Sequence, residues 1–216
     1  IFSPSDVRNM LNVARSYPSP NAPLRPMVLY TMVLLAYCAG LRRSELARLD
    51  LGDVDFQSGT ITIRQTKFYK TRILPLTGSV LAELRAYIDA RQRAGAPQNP
   101  ESGLFWHGHV NDRYTPRSVS TMITDVMRRA GFKAPTGRTG PRVHDLRHSM
   151  VVNRILQWYR AGVNPQDKLH FLSTYMGHRD INSTLVYITV TQDLLQEASE
   201  RFRAVGARCL TMEARP

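Results

Sequence analysis

A mainly α-helical domain with a small antiparallel β-sheet is the fold class that three observations predict. Most segments repeat apolar residues at i, i+3 and i+4, the helical period. One stretch alone, residues 60–64 (T-I-T-I-R), alternates in the strand period. Glycine and proline cluster between these segments rather than inside them. With 216 residues, 43% of them apolar, the chain can bury one sizeable core. No segment reads as a second core, so a single domain over residues 1–216 is expected.

The elements follow in order. Ser3 can cap a first helix, Pro4 suits its first position, and Asp6 completes capping-box spacing. Residues 27–39 are apolar on nearly every side and predict a buried helix. The run is too short, and too interrupted by Tyr and Thr, to span a bilayer. Gly40 can end it, with Ser44 or Glu45 in the opening turn of the next helix. The strand at 60–64 pairs with a second at 72–76, leaving residues 65–71 as a polar, basic hairpin tip. Val80, Leu81, Leu84, Tyr87 and Ile88 form a helical stripe. A longer one runs through Val119, Met122, Ile123, Val126, Met127 and Ala130, opened by Thr115-Pro116 and closed by Gly131. Residues 95–103 and 135–141 read as loops. The segment 154–176 has no assigned role. Gly177 marks a helix end, and Leu194, Leu195, Ala198, Phe202 and Val205 make a last apolar stripe.

The formal charge is +12 and the pI about 10.3, carried by 25 arginines and only 4 lysines. Arginine's planar fork suits bidentate contacts with phosphate, so the balance points to a polyanionic partner. Cys38 and Cys209 are too far apart in sequence, and Cys38 too deep in an apolar stretch, for a disulfide framework or a cysteine metal site. A reduced, cytoplasmic setting is expected.

Five places carry chemistry. Arg42 in G-L-R-R-S-E-L stands at the edge of a core, where its field is weakly screened; alone it would pass for a surface arginine beside a helix cap. Lys67 sits at the hairpin tip with Lys70 and Arg72 nearby; alone it is a solvated turn. His144 and Arg147, three apart in H-D-L-R-H, project from one helical face and can converge on one phosphate. The same string holds a zinc-like pair, His144 and His148, with Asp145 where a metalloprotease places its glutamate. Aspartate is one methylene short, no third ligand is obvious though His178 is a candidate, and Arg147 opposes a bound cation. His178 follows Gly177 at a helix end, where a histidine is usually structural. Tyr187 lies nine residues further on, and most such tyrosines are half-buried core residues.

Together, G-L-R-x-S-E-L, a lysine hairpin, H-D-L-R-H, M-G-H and a tyrosine nine residues later rarely coincide by chance. From about Ser3 to Gln196 the sequence resembles the tyrosine recombinases: phage and transposon integrases and Xer-type resolvases. The resemblance implies their catalytic-domain fold and six catalytic residues: Arg42, Lys67, His144, Arg147, His178 and Tyr187. Glu45 matches an acidic residue that supports the arginines. Lys67 is preferred to Lys70 by counting eight residues back from Pro75. The implied activity is cleavage and rejoining of a double-stranded DNA recombination site through a 3′-phosphotyrosyl link, without metal or other cofactor, by a homotetramer. The family's N-terminal DNA-clamping domain has no counterpart among these residues. In relatives a helix like the last apolar stripe docks on a neighbouring protomer; packing on its own domain is the alternative. Two other readings stay open, a type IB topoisomerase and a DNA-binding module with an intact but unused catalytic set.

Overall fold

In the computed structural model, which describes residues 1–64, 71–110 and 112–177 together with Ser199 and Arg203, helix α1 (Pro4–Arg15) begins at its capping signals. The Ser3 hydroxyl accepts from the Asp6 N–H at 3.1 Å, and the Asp6 carboxylate accepts from the Ser3 N–H at 2.8 Å. Two N–H groups that have no partner within the helix are thereby satisfied. Helix α2 (Arg25–Cys38) buries residues on every side, from Val28 and Leu29 through Met32, Val33 and Leu35 to Ala36. It is the hub of the core, packed by α1, by α4 (Gly78–Arg93) and by α5 (Pro116–Arg129). Each fully buried Leu or Met contributes about 1.5–3 kcal/mol. The short α3 (Arg43–Arg48) follows the Gly40 turn and packs on α5.

The hairpin forms as β2 (Thr60–Ile63) and β3 (Arg72–Pro75), antiparallel, with Ile63 opposite Arg72. Ile61, Ile63 and Leu74 point inward, whereas Ile73 is 64% exposed on the outer face, as the strand period requires. Two features depart from expectation. β1 (Val54–Asp55) adds a third strand to this sheet, and β4 (Trp106–His107) pairs with β5 (Asp112–Arg113) as a separate ribbon. The expectation of one two-stranded sheet is corrected on both counts. Strands of two residues are too short to show alternation, and pairing with a neighbour defines them instead.

The loop at 95–103 is tied from inside. Arg91, fully buried, donates to the carbonyls of Pro97 and Gly103 and to the Ser102 hydroxyl, and the Tyr87 hydroxyl donates to the Leu104 carbonyl. Long helix α6 (Val143–Arg160) contains the boundary between two compact units, residues 1–150 and 151–216. In the second unit, a 3-10 turn (Pro165–Lys168) capped by Asn164 leads into α7 (Leu169–Met176), and Gly177 ends α7 at φ 62°, a left-handed conformation that suits glycine. These elements occupy the segment 154–176. Cys38 takes part in no disulfide among the described residues. Among the described residues no helix is long and apolar enough to cross a membrane.

Candidate active site

Gly40 organises the first part of the site. At φ 60° it turns the chain out of α2, with its N–H returning to the Tyr37 carbonyl as in a Schellman closure and the Leu41 N–H donating to the Leu35 carbonyl. Leu41 is then pinned in the core and Arg42 stands at the threshold of α3. Glu45, in the first turn of α3, reaches back to that threshold. Its carboxylate accepts from the Arg42 backbone N–H at 2.9 Å and from Arg42 Nη1 at 2.8 Å. It also accepts both terminal nitrogens of Arg72, at 3.0 and 2.9 Å. Burial pushes the Glu45 carboxyl up, but the hydrogen bonds and charge of Arg72, followed by those of Arg42, more than reverse this and hold it below its ordinary value.

Helix α6 supplies the second part. The Asp145 carboxylate accepts the Arg142 N–H at 2.7 Å, so Asp145 serves the start of the helix. That role differs from the base position it would hold in a zinc protease. The Ser149 hydroxyl accepts the Phe2 N–H at 2.7 Å, tying the beginning of the chain to the same helix. Arg147 is 0% exposed, and its Nη1 donates to the Gly40 carbonyl, joining α6 to the turn that carries Arg42. His144 keeps an open side toward solvent. Its pKa is nevertheless lowered, first by partial burial and then by the charges of Arg147 and Arg42, with Asp145 opposing. The three described candidates thus share one neighbourhood.

The imidazole pKa shifts lead to a test. His148 is also held below the ordinary histidine value, chiefly by burial. The unfolded chain takes up protons near the reference value of about 6.5, before the folded chain does. The contribution of the two neutral rings is therefore full above about pH 6.5 and is lost as pH falls toward the folded values. Melting temperature is expected to decline below about pH 6.5, and a His144→Gln, His148→Gln variant to flatten that slope. A melting temperature that rises over this window would contradict the assignment.

Arg42 and His144 line an open groove of about 680 Å³. Its other cations are Arg43, Arg128, Lys133, Arg138 and Arg142, and among the described residues no carboxylate lines it. Two of these cations hold the 134–141 loop in place. Lys133 Nζ donates to the carbonyls of Arg138, Thr139 and Pro141, at 3.2, 2.6 and 3.2 Å. Arg128 donates to those of Ala134 and Gly137. Arg138 and Arg142 remain exposed on the anchored loop. Such a groove attracts a polyanion and repels cations. Arg147 is not part of the lining.

Lys67, with its alternative Lys70, and likewise His178, Tyr187, the stripe 194–205 and Cys209 lie outside the described residues. Sequence reasoning gave no function to Arg72 or to the cations around the 134–141 loop. Arg72 was visible only as a nearby charge, and its partner is 27 residues away.

The sequence profile of the Phage integrase family matches residues 2–193. The chain is 34% identical over 203 residues to y4rB of Sinorhizobium fredii, provisionally named an integrase/recombinase; the match covers 93% of this chain and 64% of y4rB. The chain therefore spans just under two thirds of that relative. Among solved structures, XerA recombinase superposes with a TM-score of 0.72 at 22% identity, over 94% of this chain and 65% of XerA. XerH recombinase, in a post-cleavage complex with its palindromic difH substrate, gives 0.70 at 18% identity, over 94% and 52%. At these identities the two structures speak to the fold.

Proposed function

The chain belongs to the phage integrase family, and we propose that it cleaves and rejoins DNA at specific sites through a covalent bond to Tyr187. The observation that carries this reading is the meeting of Arg42, Arg147 and His144 beside a groove whose charged lining, among the described residues, is cationic. The complex of XerH, a site-specific recombinase, with its palindromic difH substrate supports a specific site as the substrate.

The chemistry needs a nucleophile, charge stabilisation and a proton for the leaving group. The Tyr187 hydroxyl attacks the scissile phosphorus, forming a P–O bond to tyrosine as the bond to the 5′ oxygen breaks. A phenol ionises near about pH 10, so it needs a proton acceptor. His144, kept neutral by its surroundings, fits that role. Arg42 and Arg147 hold the non-bridging oxygens, and His178 donates a further hydrogen bond. Arg147 is closed off from solvent as it stands, so direct contact requires DNA binding to uncover it. Lys67 protonates the departing 5′ oxygen. The phosphotyrosyl bond conserves the energy of the original linkage, and a 5′ hydroxyl from a partner strand attacks it in reverse. No cofactor enters, and a homotetramer would bring two sites together.

The test is covalent capture. A nicked suicide duplex library, randomised across the recognition segment, is incubated with the protein, and SDS-resistant adducts are sequenced. Recovery of one consensus bound through Tyr187 is expected; no adduct from any member would end the proposal. Rejoining to a second duplex distinguishes recombination from topoisomerase-like relaxation.

The groove makes a quantitative prediction for the captured site. Log affinity falls linearly with log salt, with a slope of about −0.9 per neutralised phosphate. Arg138→Ala and Arg142→Ala should each weaken binding and make the slope shallower by about one unit, while leaving the consensus unchanged. Unchanged slopes would remove this loop from the DNA interface.

A further inference from the structure

Among the described residues, one carboxylate in this site has four donors. Glu45 Oε1 accepts from Nη1 of both Arg42 and Arg72, and Oε2 accepts from the Arg42 backbone N–H and from Arg72 Nη2. The three side chains come from different places: the turn before α3, α3 itself and the first residue of β3. The Arg72 side chain is only 9% exposed, against 26% for Arg42, so Arg72 is enclosed where Arg42 faces the groove. We propose that Arg72 is a positioning residue, whose guanidinium fork fixes and neutralises Glu45 so that Arg42 keeps both its orientation and an uncompensated positive charge for phosphate.

The charge balance gives the reason. Two arginines around one carboxylate leave one net positive charge, and the arginine at the groove can present it. Without Arg72, Glu45 and Arg42 form a neutral pair, and the buried carboxylate draws the Arg42 guanidinium inward. The fork matters as well as the charge. Two parallel bonds from Arg72 fix the plane of the carboxylate, and a lysine ammonium, a point charge, does not. Arg72 also ties Arg42 to the β2–β3 hairpin, since it pairs with Ile63 across the ladder.

The inference rests on the DNA-cleavage reading for its kinetic consequence, but part of its test does not. His144 is acted on by Arg147, Asp145 and His148 from its own helix and by Arg42 from the turn. If Arg42 swings toward Glu45, its charge recedes from His144 and the imidazole titrates higher. NMR titration of His144 in the full protein without DNA should therefore show an upward shift in Arg72→Met and a smaller one in Arg72→Lys. The lysine variant keeps the charge and with it the fold, so the titration is readable even where Arg72→Met fails to fold. On the captured suicide duplex at saturating concentration, Arg72→Met should slow adduct formation about 100-fold and Arg72→Lys about 10-fold, at little-changed affinity. A 5′-bridging sulfur, which leaves without a proton, should rescue neither, because the defect lies in charge stabilisation. An unchanged His144 titration in both variants, accompanied only by a lower melting temperature, overturns the inference. Rescue by sulfur also overturns it, since Arg72 would then act on the leaving group. If the wild type forms no adduct, the cleavage reading fails while the titration still decides the role of Arg72.

Discussion

Tyr187→Phe should bind the captured DNA site with wild-type affinity and form no covalent adduct. The substitution removes one oxygen, the attacking atom of the proposed mechanism, and keeps the aromatic ring. The groove cations Arg42, Arg138 and Arg142, which the proposal sets against DNA, are untouched, so affinity and salt slope should be unchanged. The rate effect should be the largest of any substitution in the chain, because covalent catalysis has no second route once the nucleophile is gone. Gel retardation measures the first quantity and denaturing electrophoresis of the suicide product the second. An adduct persisting in Tyr187→Phe would place the nucleophile elsewhere and overturn the mechanism.

Arg147 should carry two separable effects. Its side chain is fully buried, and Nη1 donates to the Gly40 carbonyl in the turn that presents Arg42. Arg147→Met leaves that buried carbonyl unsatisfied at a cost of about 1–3 kcal/mol, and in the proposed mechanism it also removes the second guanidinium that would hold the phosphate. An arginine that stabilises phosphoryl-transfer charge is worth about 10³–10⁵ in rate, so adduct formation should fall by about 10³-fold or more. Arg147→Lys keeps a donor for Gly40 and a positive charge, but cannot hold carbonyl and phosphate with one planar fork. It should recover most of the stability and little of the rate. Denaturant unfolding and single-turnover adduct formation read the two separately. A lysine variant that cleaves at nearly the wild-type rate would show that Arg147 serves the Gly40 turn alone.

Much of the secondary structure was legible because its causes are local. Ser3 with Asp6, Thr115 with Ser118, and Gly177 after α7 each act within a few residues, so each end can be read from a short window. The all-apolar α2 announced a central helix, and the alternation at 60–63 announced a strand. β1, β4 and β5 were not legible: two residues have no period, and each exists only through its neighbour. Asp145 was weighed only as part of a zinc alternative, and its capping role went unread. Its position three residues after Arg142, at the start of a helix, was the capping signal that could have been read.

The same division runs through the site. From residue types and their order the sequence determined an arginine-rich, polyanion-seeking chain with Arg42, His144 and Arg147 as candidates, because side-chain chemistry and spacing within one helix turn are written locally. Which groups those residues meet was decided only by the tertiary structure. Arg72 finds Glu45 across 27 residues, and Arg147 finds Gly40 across 107. Lys133 and Arg128, which read as bare charge, are spent on the carbonyls of the loop beside them. A guanidinium has no sequence signal for its partner. It takes whatever acceptor the closing of the core leaves within 3 Å, and here that is one shared carboxylate and the carbonyl of a left-handed glycine.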